Sequence, residues 1–440
     1  MVGITKMKAE KQKAEKEAFF CTTKELSRLG LEQIPTQFQS HKHLIYSSPA
    51  TLAFNSPGAE GFGVKRAGLA VPDSIMLIVA PGCCGRNTSL ISSMKEYNDR
   101  FYYLMMDETD IVTGRHLKKI PKAVEEICSV CPKKPSVVMI CITCVDALLG
   151  TDMERVCKKA EEQVEIPVRP CYMYALTREG RKPPMVHVRQ SLYSLLEPGK
   201  KKGNVVNLLG FFSPLVDDCE IYDLLHSAGV KTIHEISRCK DYMEYQTMSE
   251  ANFNLVLHHE ARFAAEDFHN RLQIPFIELR RLYQIDKIEN QYHALGNALG
   301  VAFYDEKYKK QAEDALEKFR QKCPDASFAI GECLNADPFE LSLALIRYGF
   351  SVPEIYGTIT VENFTYIRSL AKISPETKVF SNMEPTMIYY DPAKIDVNLA
   401  IGKDACYYHP DCPYVMWNGE EQPYGYAGVR RLFEQLLEVV

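Results

Sequence analysis

Residues 74–85, SIMLIVAPGCCG, join an apolar run of strand length to two adjacent cysteines that stand between glycines. A short apolar run that is bounded by a turn and followed by a helical pattern predicts a buried strand of a parallel sheet. The glycines let the backbone approach another group closely, and two neighbouring thiols do not readily bridge each other. Cys83 and Cys84 are therefore predicted at the end of a buried strand, in contact with something other than each other.

The same order of apolar run, turn and helical pattern recurs along the chain. It continues with PSVVMICIT and IPVRPCYM, restarts with VVNLLGFF after the Pro-, Gly- and Lys-rich residues 195–204, and begins a third time at ASFAIGE. Apolar strands separated by helices indicate parallel sheets that are covered on both faces. We predict an α/β fold of three Rossmann-like domains with parallel sheets.

These restarts set the predicted domain boundaries. A helical N-terminal extension is expected over residues 1–40, because Lys and Glu alternate there at helical spacing and Thr22 or Thr23 can cap a short helix that ends at Gly30. The predicted Rossmann-like domains are domain I over residues 41–200, which carries the cluster cysteines, domain II over residues 201–305, and domain III over residues 306–440, which ends in a helix.

Composition excludes two classes of partner. The chain of 440 residues has a formal charge of -5 and a pI near 6.2, and it shows no basic stripe with interleaved aromatics, so nucleic acid is not expected. No apolar run reaches the roughly 18 residues that span a bilayer, and the N-terminus lacks the apolar core of a signal peptide. We expect a cytoplasmic protein that does not bind membranes, whose 15 cysteines are thiols or metal ligands rather than disulfides.

Several soft or polar side chains follow the predicted strands, at the edge where open parallel sheets bind their ligands. They are Cys83, Cys84 and Cys144 in the first unit, His258, His259 and Glu260 in the second, and Glu332 and Cys333 in the third. Neither a G-x-x-x-x-G-K-[ST] loop nor a G-x-G-x-x-G turn after a strand is present. The chain is therefore not expected to bind ATP or a dinucleotide through these motifs.

The cysteines of the first unit suggest an iron–sulfur site. Cys84 and Cys144 follow different strands, so one sheet can bring both thiolates to a single edge. A four-iron cluster takes four cysteines, and a twofold dimer can supply two from each chain. Taken alone, each cysteine is more often a small buried hydrophobic residue. A zinc site built from the C-x-x-C pairs CSVC and CITC is a weaker alternative, since only CSVC lies in a predicted loop.

The combination of LIVAPGCCG with CVDALLGTD resembles the nitrogenase component 1 superfamily, which includes nitrogenase molybdenum–iron protein subunits, cofactor-assembly scaffolds and tetrapyrrole reductases. The matching positions are Pro81, Cys84 and Gly85 in the first motif, and Cys144, Gly150 and Asp152 in the second. Val79 stands where the family usually has a histidine. The segment QPYGYAGVRRLFEQL is similar to the closing turn and helix of the family, so the resemblance spans nearly the whole chain and implies three Rossmann-like domains.

This resemblance implies the catalytic component of a nitrogenase-like reductase. In the family, a separate ATP-hydrolysing iron protein docks over the cluster edge and delivers low-potential electrons. Here they would enter a [4Fe-4S] cluster held by Cys84 and Cys144 of two subunits, beside the backbone of Gly85. The electrons would then reduce a small-molecule substrate in a cavity lined by domains II and III. The side chains expected to deliver protons in that cavity are His258, His259, Glu260 and Glu332.

Departures from the family pattern limit what the resemblance implies. No cysteine lies between Cys21 and Cys83, where the family has a further cluster ligand, so the eight-iron P-cluster is not expected. His258 stands near the place of the cysteine that anchors the iron–molybdenum cofactor, and His409 in CYYHPDCPYVMW is only loosely similar to the cofactor histidine. A second metal centre or a tetrapyrrole in the cavity is therefore left open. Cys83 is either a substitute ligand of the cluster or a small side chain that only fills space.

Two other functions stay open on the sequence. A cofactor-assembly scaffold of the same superfamily would hold a cluster precursor without turnover. A non-redox three-domain binding or sensor protein would use its cysteines for structure alone. Two cluster cysteines per chain are compatible both with a homodimer and with a heteromer that contains a related component 1 subunit.

Overall fold

The computed structural model describes residues 17–39, 49–50, 63–82, 97, 99–173 and 182–440. Cys83, Cys84 and Gly85 lie outside these described residues. Within the described ranges, fourteen strands form three sheets, and no helix is both long enough and apolar enough to cross a membrane.

The elements are numbered in chain order. The strands are β1 (Phe20–Thr22), β2 (Ile75–Ala80), β3 (Phe101–Met105), β4 (Val138–Ile142), β5 (Val168–Tyr172), β6 (Val205–Leu209), β7 (Thr232–His234), β8 (Phe253–Val256), β9 (Phe276–Glu278), β10 (Ser327–Ile330), β11 (Ser351–Tyr356), β12 (Lys378–Phe380), β13 (Leu399–Ile401) and β14 (Tyr414–Val415). The α-helices are α1 (Thr23–Leu29), α2 (Val64–Ala67), α3 (Glu108–Thr113), α4 (His116–Val130), α5 (Cys144–Leu149), α6 (Met153–Val164), α7 (Pro184–Tyr193), α8 (Glu220–Ser227), α9 (Tyr242–Gln246), α10 (Arg262–Leu272), α11 (Ile285–Leu299), α12 (Glu306–Lys322), α13 (Pro338–Arg347), α14 (Phe364–Ile373), α15 (Lys403–Tyr408) and α16 (Gly425–Val439).

The first sheet is parallel and has the strand order β3-β2-β4-β5. Every residue of β2 and β4 is buried, which is typical of strands covered on both faces. Along β2, Leu77 and Val79 belong to the core that contains Ile120 of α4, whereas Met76 and Ile78 belong to the core on the other face, which includes residues of α7. The prediction of a buried parallel strand before the two cysteines is confirmed.

The second sheet is also parallel, with the order β7-β6-β8-β9. It begins at Val205, directly after residues 195–204, the segment that the sequence predicts to be a linker. Asn207 and Asn254 are fully buried opposite each other on β6 and β8, and Nδ2 of Asn207 donates to Oδ1 of Asn254 over 2.7 Å. This hydrogen bond fixes the register of the two central strands, because a slip would leave both amides buried without it.

The third sheet has the order β1-β12-β11-β10-β13-β14, and only β1 is antiparallel to its neighbour. The N-terminal segment was expected to be helical, but its residues 20–22 pair with β12 instead, and the ring centroids of Phe20 and Phe380 lie 5.5 Å apart. The predicted short helix follows as α1: Thr22 caps it together with Glu25, and it ends at Gly30. The N-terminal segment is thereby attached to the third sheet.

In each sheet the chain passes to opposite sides of the first of the parallel strands, which opens a crevice at the carboxyl ends beside β2, β6 and β10. In the second sheet, Gly210 follows β6 with φ 141°, and a Cβ there would lie 2.7 Å from the backbone N of His258. In the third sheet, a Cβ on Gly331 would lie 2.1 Å from Oδ1 of Asp404. At both points two loops meet so closely that only glycine fits.

Acid is expected to destabilise the fold through His187 of α7, whose ring packs at 4.3 Å from that of Tyr172. Burial, and secondarily the charge of Lys182, lowers the pKa of His187 to about 4. Below about pH 6.5 the unfolded chain binds a proton at His187, whereas the folded chain does not. The free energy of unfolding therefore falls as the pH drops from there towards the folded pKa. Between about pH 7.5 and about pH 5.5 this group should remove about 1 kcal/mol of unfolding free energy.

The measurement is urea unfolding of the wild type and of His187→Gln at both pH values. The variant should lose about 1 kcal/mol less than the wild type on acidification. His293→Gln, in an exposed position on α11, is the matched control and should keep the wild-type pH dependence. An equal acid sensitivity of His187→Gln and wild type would contradict the assignment.

Candidate functional site

A cavity of about 350 Å³ lies where the carboxyl ends of the second and third sheets face each other. Segments that follow β6, β8 and β9 line one side, and segments that follow β10 and β11 line the other. Arg189 of α7 and Gln422, just before α16, complete the wall. Four arginines, four carboxylates and two histidines line the cavity, whose size is within the range of small-molecule sites.

His258, His259 and Glu260 stand together on this wall, immediately after β8. Arg189 fixes them from α7: its Nη1 donates to Oε2 of Glu260 over 2.8 Å, and its Nε and Nη2 donate to the carbonyl oxygen of Gly210 over 3.0 and 2.6 Å. The guanidinium is almost fully buried and therefore needs these acceptors. One arginine thus connects the loops that follow β6 and β8.

His258 presents a hydrogen-bond donor to the cavity. Its Nδ1 accepts from the backbone N–H of Glu260 over 3.3 Å, so the neutral ring carries its proton on Nε2. Burial lowers the pKa of His258 well below its usual range, and the positive charges of Arg189, His259 and Arg281 lower it further. The ring is therefore neutral at physiological pH, with its proton on Nε2.

All four carboxylates that line the cavity have partners. Glu260 pairs with Arg189, Glu278 forms a two-pronged pair with Arg262 at 2.9 and 2.7 Å, and Glu362 lies 4.0 Å from that same arginine. Asp337 accepts the backbone N–H groups of the first turn of α13 over 2.9 and 3.0 Å, and burial raises its pKa to about 6. Each acidic side chain of the cavity wall is thus paired with an arginine or a backbone N–H group of this chain.

Arg281 has no such compensation. Its Nη2 donates to Oε1 of Gln422 over 2.6 Å, its guanidinium carbon lies 4.3 Å from the ring centroid of Phe211, and its Nε is buried without a partner. No carboxylate within salt-bridge distance is found for it among the described residues. At Arg281 the cavity wall therefore carries a partly desolvated positive charge that no carboxylate of the described residues pairs with.

The described residues of this cavity do not fit a metal centre ligated by protein side chains. Nowhere in the described part of the chain do three or more His, Cys, Asp or Glu side chains come close enough to share a metal ion. The Nε2 atom of His258 also carries a proton and is a donor rather than a lone-pair ligand. A protein-ligated second metal centre is therefore not assigned here.

Glu332 does not line the cavity with His258 and His259. It follows β10, where its backbone N–H donates to Oδ2 of Asp404 over 2.7 Å and its Oε1 accepts from the backbone N–H of Thr358 over 2.8 Å. Burial raises the pKa of Glu332, and the charge of Asp404 raises it further. The residue is not among those that line the cavity, and it holds together the loops of the third sheet.

His409 also lies apart from the cavity lining, in the core beside the third sheet. It is almost fully buried, and its Nε2 contacts Oε1 of Glu354 and the hydroxyl of Tyr390, the latter at 2.8 Å. The ring of Tyr408 packs 4.9 Å from that of Tyr390. The imidazole of His409 thus has its partners within its own core, namely the buried acid Glu354 and the half-buried phenol Tyr390.

Cys144 is the first residue of α5, directly after β4 and Thr143, and it is half-buried. Its Sγ lies 3.9 Å from the carbonyl oxygen of Met173. Since β4 pairs with β2 up to Ile142 and Val79, the chain leaves both strands at one edge. In the sequence, Cys84 is four residues beyond the end of β2. Its structure, and that of Cys83 and Gly85, lies outside the described residues.

The surroundings of Cys144 fit a ligand of an iron–sulfur cluster. Thr143 is the N-cap of α5, yet its side chain makes no capping hydrogen bond, and its Oγ1 is buried without a partner among the described residues. Buried hydroxyls are normally hydrogen-bonded, and this one can donate to a thiolate or to a cluster sulfur. Cys141, three residues earlier, is fully buried in β4, so CITC spans the end of a strand and is not a two-thiol loop.

Sequence reasoning missed the arginines that shape the cavity. Arg280 and Arg281 follow β9 directly, so the rule that ligands bind at the carboxyl ends of strands was sufficient to find them. Arg189 and Gln422 come from α7 and from the segment before α16, far from the predicted strand ends. No pattern in the sequence connects these two residues with β8 and β9.

Residues 60–440 match the family described as nitrogenase component 1 type oxidoreductase. The chain is 25% identical over 418 residues to the nitrogenase iron-molybdenum cofactor biosynthesis protein NifE of Sinorhizobium fredii, which covers 89% of this chain and 82% of that protein. It is 27% identical over 205 residues to NifE of Methanosarcina barkeri, and this match covers 42% of this chain and 43% of that protein. A solved structure of nitrogenase Cp1 at pH 6.5 shares the fold with a TM-score of 0.69 at 18% identity, covering 87% of this chain and 91% of that one. This chain therefore belongs to the nitrogenase component 1 type oxidoreductase family.

Proposed function

We propose that this chain is a cofactor-assembly scaffold, which binds a metallocluster precursor in the cavity between the second and third sheets and releases it to another protein. The observation that carries the proposal is the cavity wall, which offers arginine and imidazole N–H donors in place of a set of metal ligands among its described residues. A cargo held by charge and hydrogen bonds leaves more readily than one held by thiolate bonds. The similarity to proteins named for iron-molybdenum cofactor biosynthesis supports this function.

In this proposal, Cys84 and Cys144 of two subunits hold a [4Fe-4S] cluster, which supplies one-electron transfer when it is bound. The hydroxyl of Thr143, which is buried without a partner among the described residues, is the proposed hydrogen-bond donor to this cluster, and such bonds tune the potential of a cluster. The backbone of Gly85 and the thiol of Cys83 are further candidate contacts. Electrons come from a separate ATP-hydrolysing iron protein, since the chain has no phosphate-binding loop of its own.

Large apolar side chains support a second subunit at the same edge. Leu148 and Leu149 of α5 are 67% and 49% exposed, and Met105 at the end of β3 is 63% exposed. A group of exposed apolar side chains beside a binding motif is typical of a protein contact surface. The proposed partner at this surface is a second copy of the chain or a related component 1 subunit.

A cavity-filling variant tests the scaffold function. Ala336 lines the cavity, so Ala336→Trp should exclude the cargo. After anaerobic purification from cells that synthesise the precursor, the wild type should hold iron beyond that of the shared cluster, and Ala336→Trp should lose at least about half of this excess while keeping the cluster signal. Ala298→Trp, at an exposed position of α11, should keep all of it. Equal iron in all three proteins would refute a cargo in this cavity.

The second candidate function is the catalytic component of a nitrogenase-like reductase. It is favoured by the grouping of His258, His259 and Glu260 on one wall, because these side chains can deliver protons during a reduction. The two functions differ in their use of ATP. With the iron protein and a reductant, a scaffold consumes ATP at a rate that added small-molecule substrates do not change, whereas a reductase consumes more ATP when its substrate is added.

A further inference from the structure

The helix α5 carries the two side chains of a capping box, but the box is open. Thr143 is the N-cap residue and Asp146 is the third residue of the helix, the two positions that cap each other in such a box. Both residues are almost fully buried. The side chain of Thr143 makes no capping hydrogen bond, and neither its Oγ1 nor Oδ2 of Asp146 has a partner among the described residues.

Both residue types close a capping box elsewhere in this chain. At α1 the N-cap is a threonine: Oγ1 of Thr22 accepts from the backbone N–H of Glu25 over 3.2 Å, and the backbone N–H of Thr22 donates to Oε2 of Glu25 over 2.7 Å. At α3 the third residue is an aspartate: Asp110 and Asp107 exchange the same two bonds over 3.3 and 2.7 Å. The residue types at α5 therefore do not explain why its box is open.

The carboxylate of Asp146 is bound instead by His116, the buried first residue of α4. Nε2 of His116 lies 2.9 Å from Oδ1 of Asp146, and Nδ1 lies 3.0 Å from the carbonyl oxygen of Asp110. Because a carbonyl oxygen only accepts hydrogen bonds, Nδ1 donates to it, and this bond fixes the ring with Nε2 towards Asp146. The imidazole thus competes with the N-cap of α5 for this carboxylate.

A closed box also uses the proton of the N-cap hydroxyl. In α1, Oγ1 of Thr22 donates to Oε2 of Glu25 over 2.9 Å. A hydroxyl has one proton to donate, so a threonine bonded in this way has none for another acceptor. Thr143 stands directly before Cys144, the proposed ligand of the cluster. While the carboxylate of Asp146 is bound elsewhere, the proton of Thr143 stays available to a sulfur atom.

We propose that His116 is a positioning residue of the cluster site: by binding Asp146 it keeps the capping box of α5 open, so that the hydroxyl of Thr143 donates to sulfur at Cys144. The proposal deepens the proposed function, on which it rests for the presence of the cluster. Without the imidazole, Asp146 and Thr143 close the box as the corresponding residues of α1 and α3 do. The hydroxyl is then lost to the cluster.

Two substitutions of His116 separate the two hydrogen bonds of its ring. His116→Asn places an amide nitrogen where Nδ1 was, so it keeps the bond to the carbonyl oxygen of Asp110 but is too short to reach Asp146. His116→Gln extends the amide to the place of Nε2 and keeps the bond to Asp146. The first variant should close the box and the second should leave it open. His116→Leu, which reaches neither acceptor, replaces His116→Asn if that protein does not fold.

Urea unfolding of the full-length chain, freed of iron with a chelator, measures whether the box closes. In the wild type and in His116→Gln, Thr143→Val should leave the unfolding midpoint unchanged or raise it, because the hydroxyl has no partner to lose. In His116→Asn the same change should lower the folding equilibrium constant about 2- to 30-fold, the usual effect of losing a cap. Thr22→Val removes the closed cap of α1 and is the positive control, with a similar loss in every background.

The reduction potential of the reconstituted cluster, from a titration followed by electron paramagnetic resonance, measures whether the hydroxyl reaches it. Loss of a hydrogen bond to sulfur makes a cluster harder to reduce, so Thr143→Val should shift the potential to more negative values. His116→Asn should shift it in the same direction, and the double variant should shift it no further. His116→Gln should keep the wild-type potential. A shift in Thr143→Val with an unchanged potential in His116→Asn would overturn the proposal.

The outcomes separate this proposal from the proposed cluster. Equal effects of Thr143→Val on the unfolding of wild type and His116→Asn would overturn the role of His116, even if the wild type holds the cluster. Conversely, a protein without iron whose Thr143→Val change lowers stability only in His116→Asn would refute the cluster and leave the control of the cap by His116 intact.

Discussion

Replacement of either Cys84 or Cys144 by serine is expected to remove the iron–sulfur cluster from an otherwise folded protein. In a homodimer each substitution deletes two of the four proposed ligands of the shared cluster, and in a heteromer with a related subunit it deletes one. Serine is a poor ligand for cluster iron, so the signal of the reduced cluster should fall at least about tenfold. The fold should survive, since Cys144 is half-buried at the start of a short helix and not part of a core.

The measurement is the electron paramagnetic resonance spectrum of dithionite-reduced protein, together with a urea unfolding curve of each variant. Cys323→Ser is the matched control: it removes another half-buried thiol, which follows α12 in the third sheet's domain, and should leave the signal unchanged. Cys83→Ser distinguishes a ligand from filler at that position. An unchanged cluster signal in both Cys84→Ser and Cys144→Ser would contradict the assignment of the cluster.

Gly331→Ala is expected to produce a large loss of stability. A Cβ at this position would lie 2.1 Å from Oδ1 of Asp404, which is far inside van der Waals contact. Asp404 cannot turn away, because it is buried and accepts from the backbone N–H groups of Glu332 and Cys333 over 2.7 and 3.0 Å and from Asn382 over 2.6 Å. Either the loops separate or these hydrogen bonds break, at a cost of roughly 3 kcal/mol or more.

Urea unfolding of the purified proteins measures this loss. Gly419→Ala is the control, since nothing lies within 4 Å of its added Cβ and its backbone is not in the left-handed region, so its stability should stay within about 0.5 kcal/mol of the wild type. If Gly331→Ala unfolded at the same denaturant concentration as Gly419→Ala, the close approach of the loops after β10 and β13 would be wrong.

The fold could be predicted from the sequence because it depends on long, regular signals. The strands β2 and β4, within the runs SIMLIVA and PSVVMICIT, are buried along their whole length. A strand that is buried on both faces has no polar residues in alternation, so its apolar run stands out in the sequence. The strand β1 was missed because three residues carry no periodicity. It forms through pairing with Lys378–Phe380, more than 350 positions away in the chain, which no local pattern records.

The candidate site was less predictable, because a residue type at a strand end does not fix where its side chain goes. His258 and Glu260 reach the cavity, whereas Glu332, at an equivalent position, turns to the backbone of Thr358. His409 is satisfied by Glu354 and lies in a core. The charge balance that identifies Arg281 depends on which acids are already paired, and this property appears only in three dimensions.

The amounts of iron and acid-labile sulfide per chain show whether two subunits share one cluster. The protein is purified anaerobically from cells that lack a cofactor-synthesis system, so that no cargo is present, and is reduced with dithionite for electron paramagnetic resonance. We predict about two irons and about two sulfides per chain with a single four-iron signal, which is one cluster for each pair of chains. Absence of iron and sulfide after attempted reconstitution would rule out the shared cluster and would mean that Cys84 and Cys144 are structural thiols.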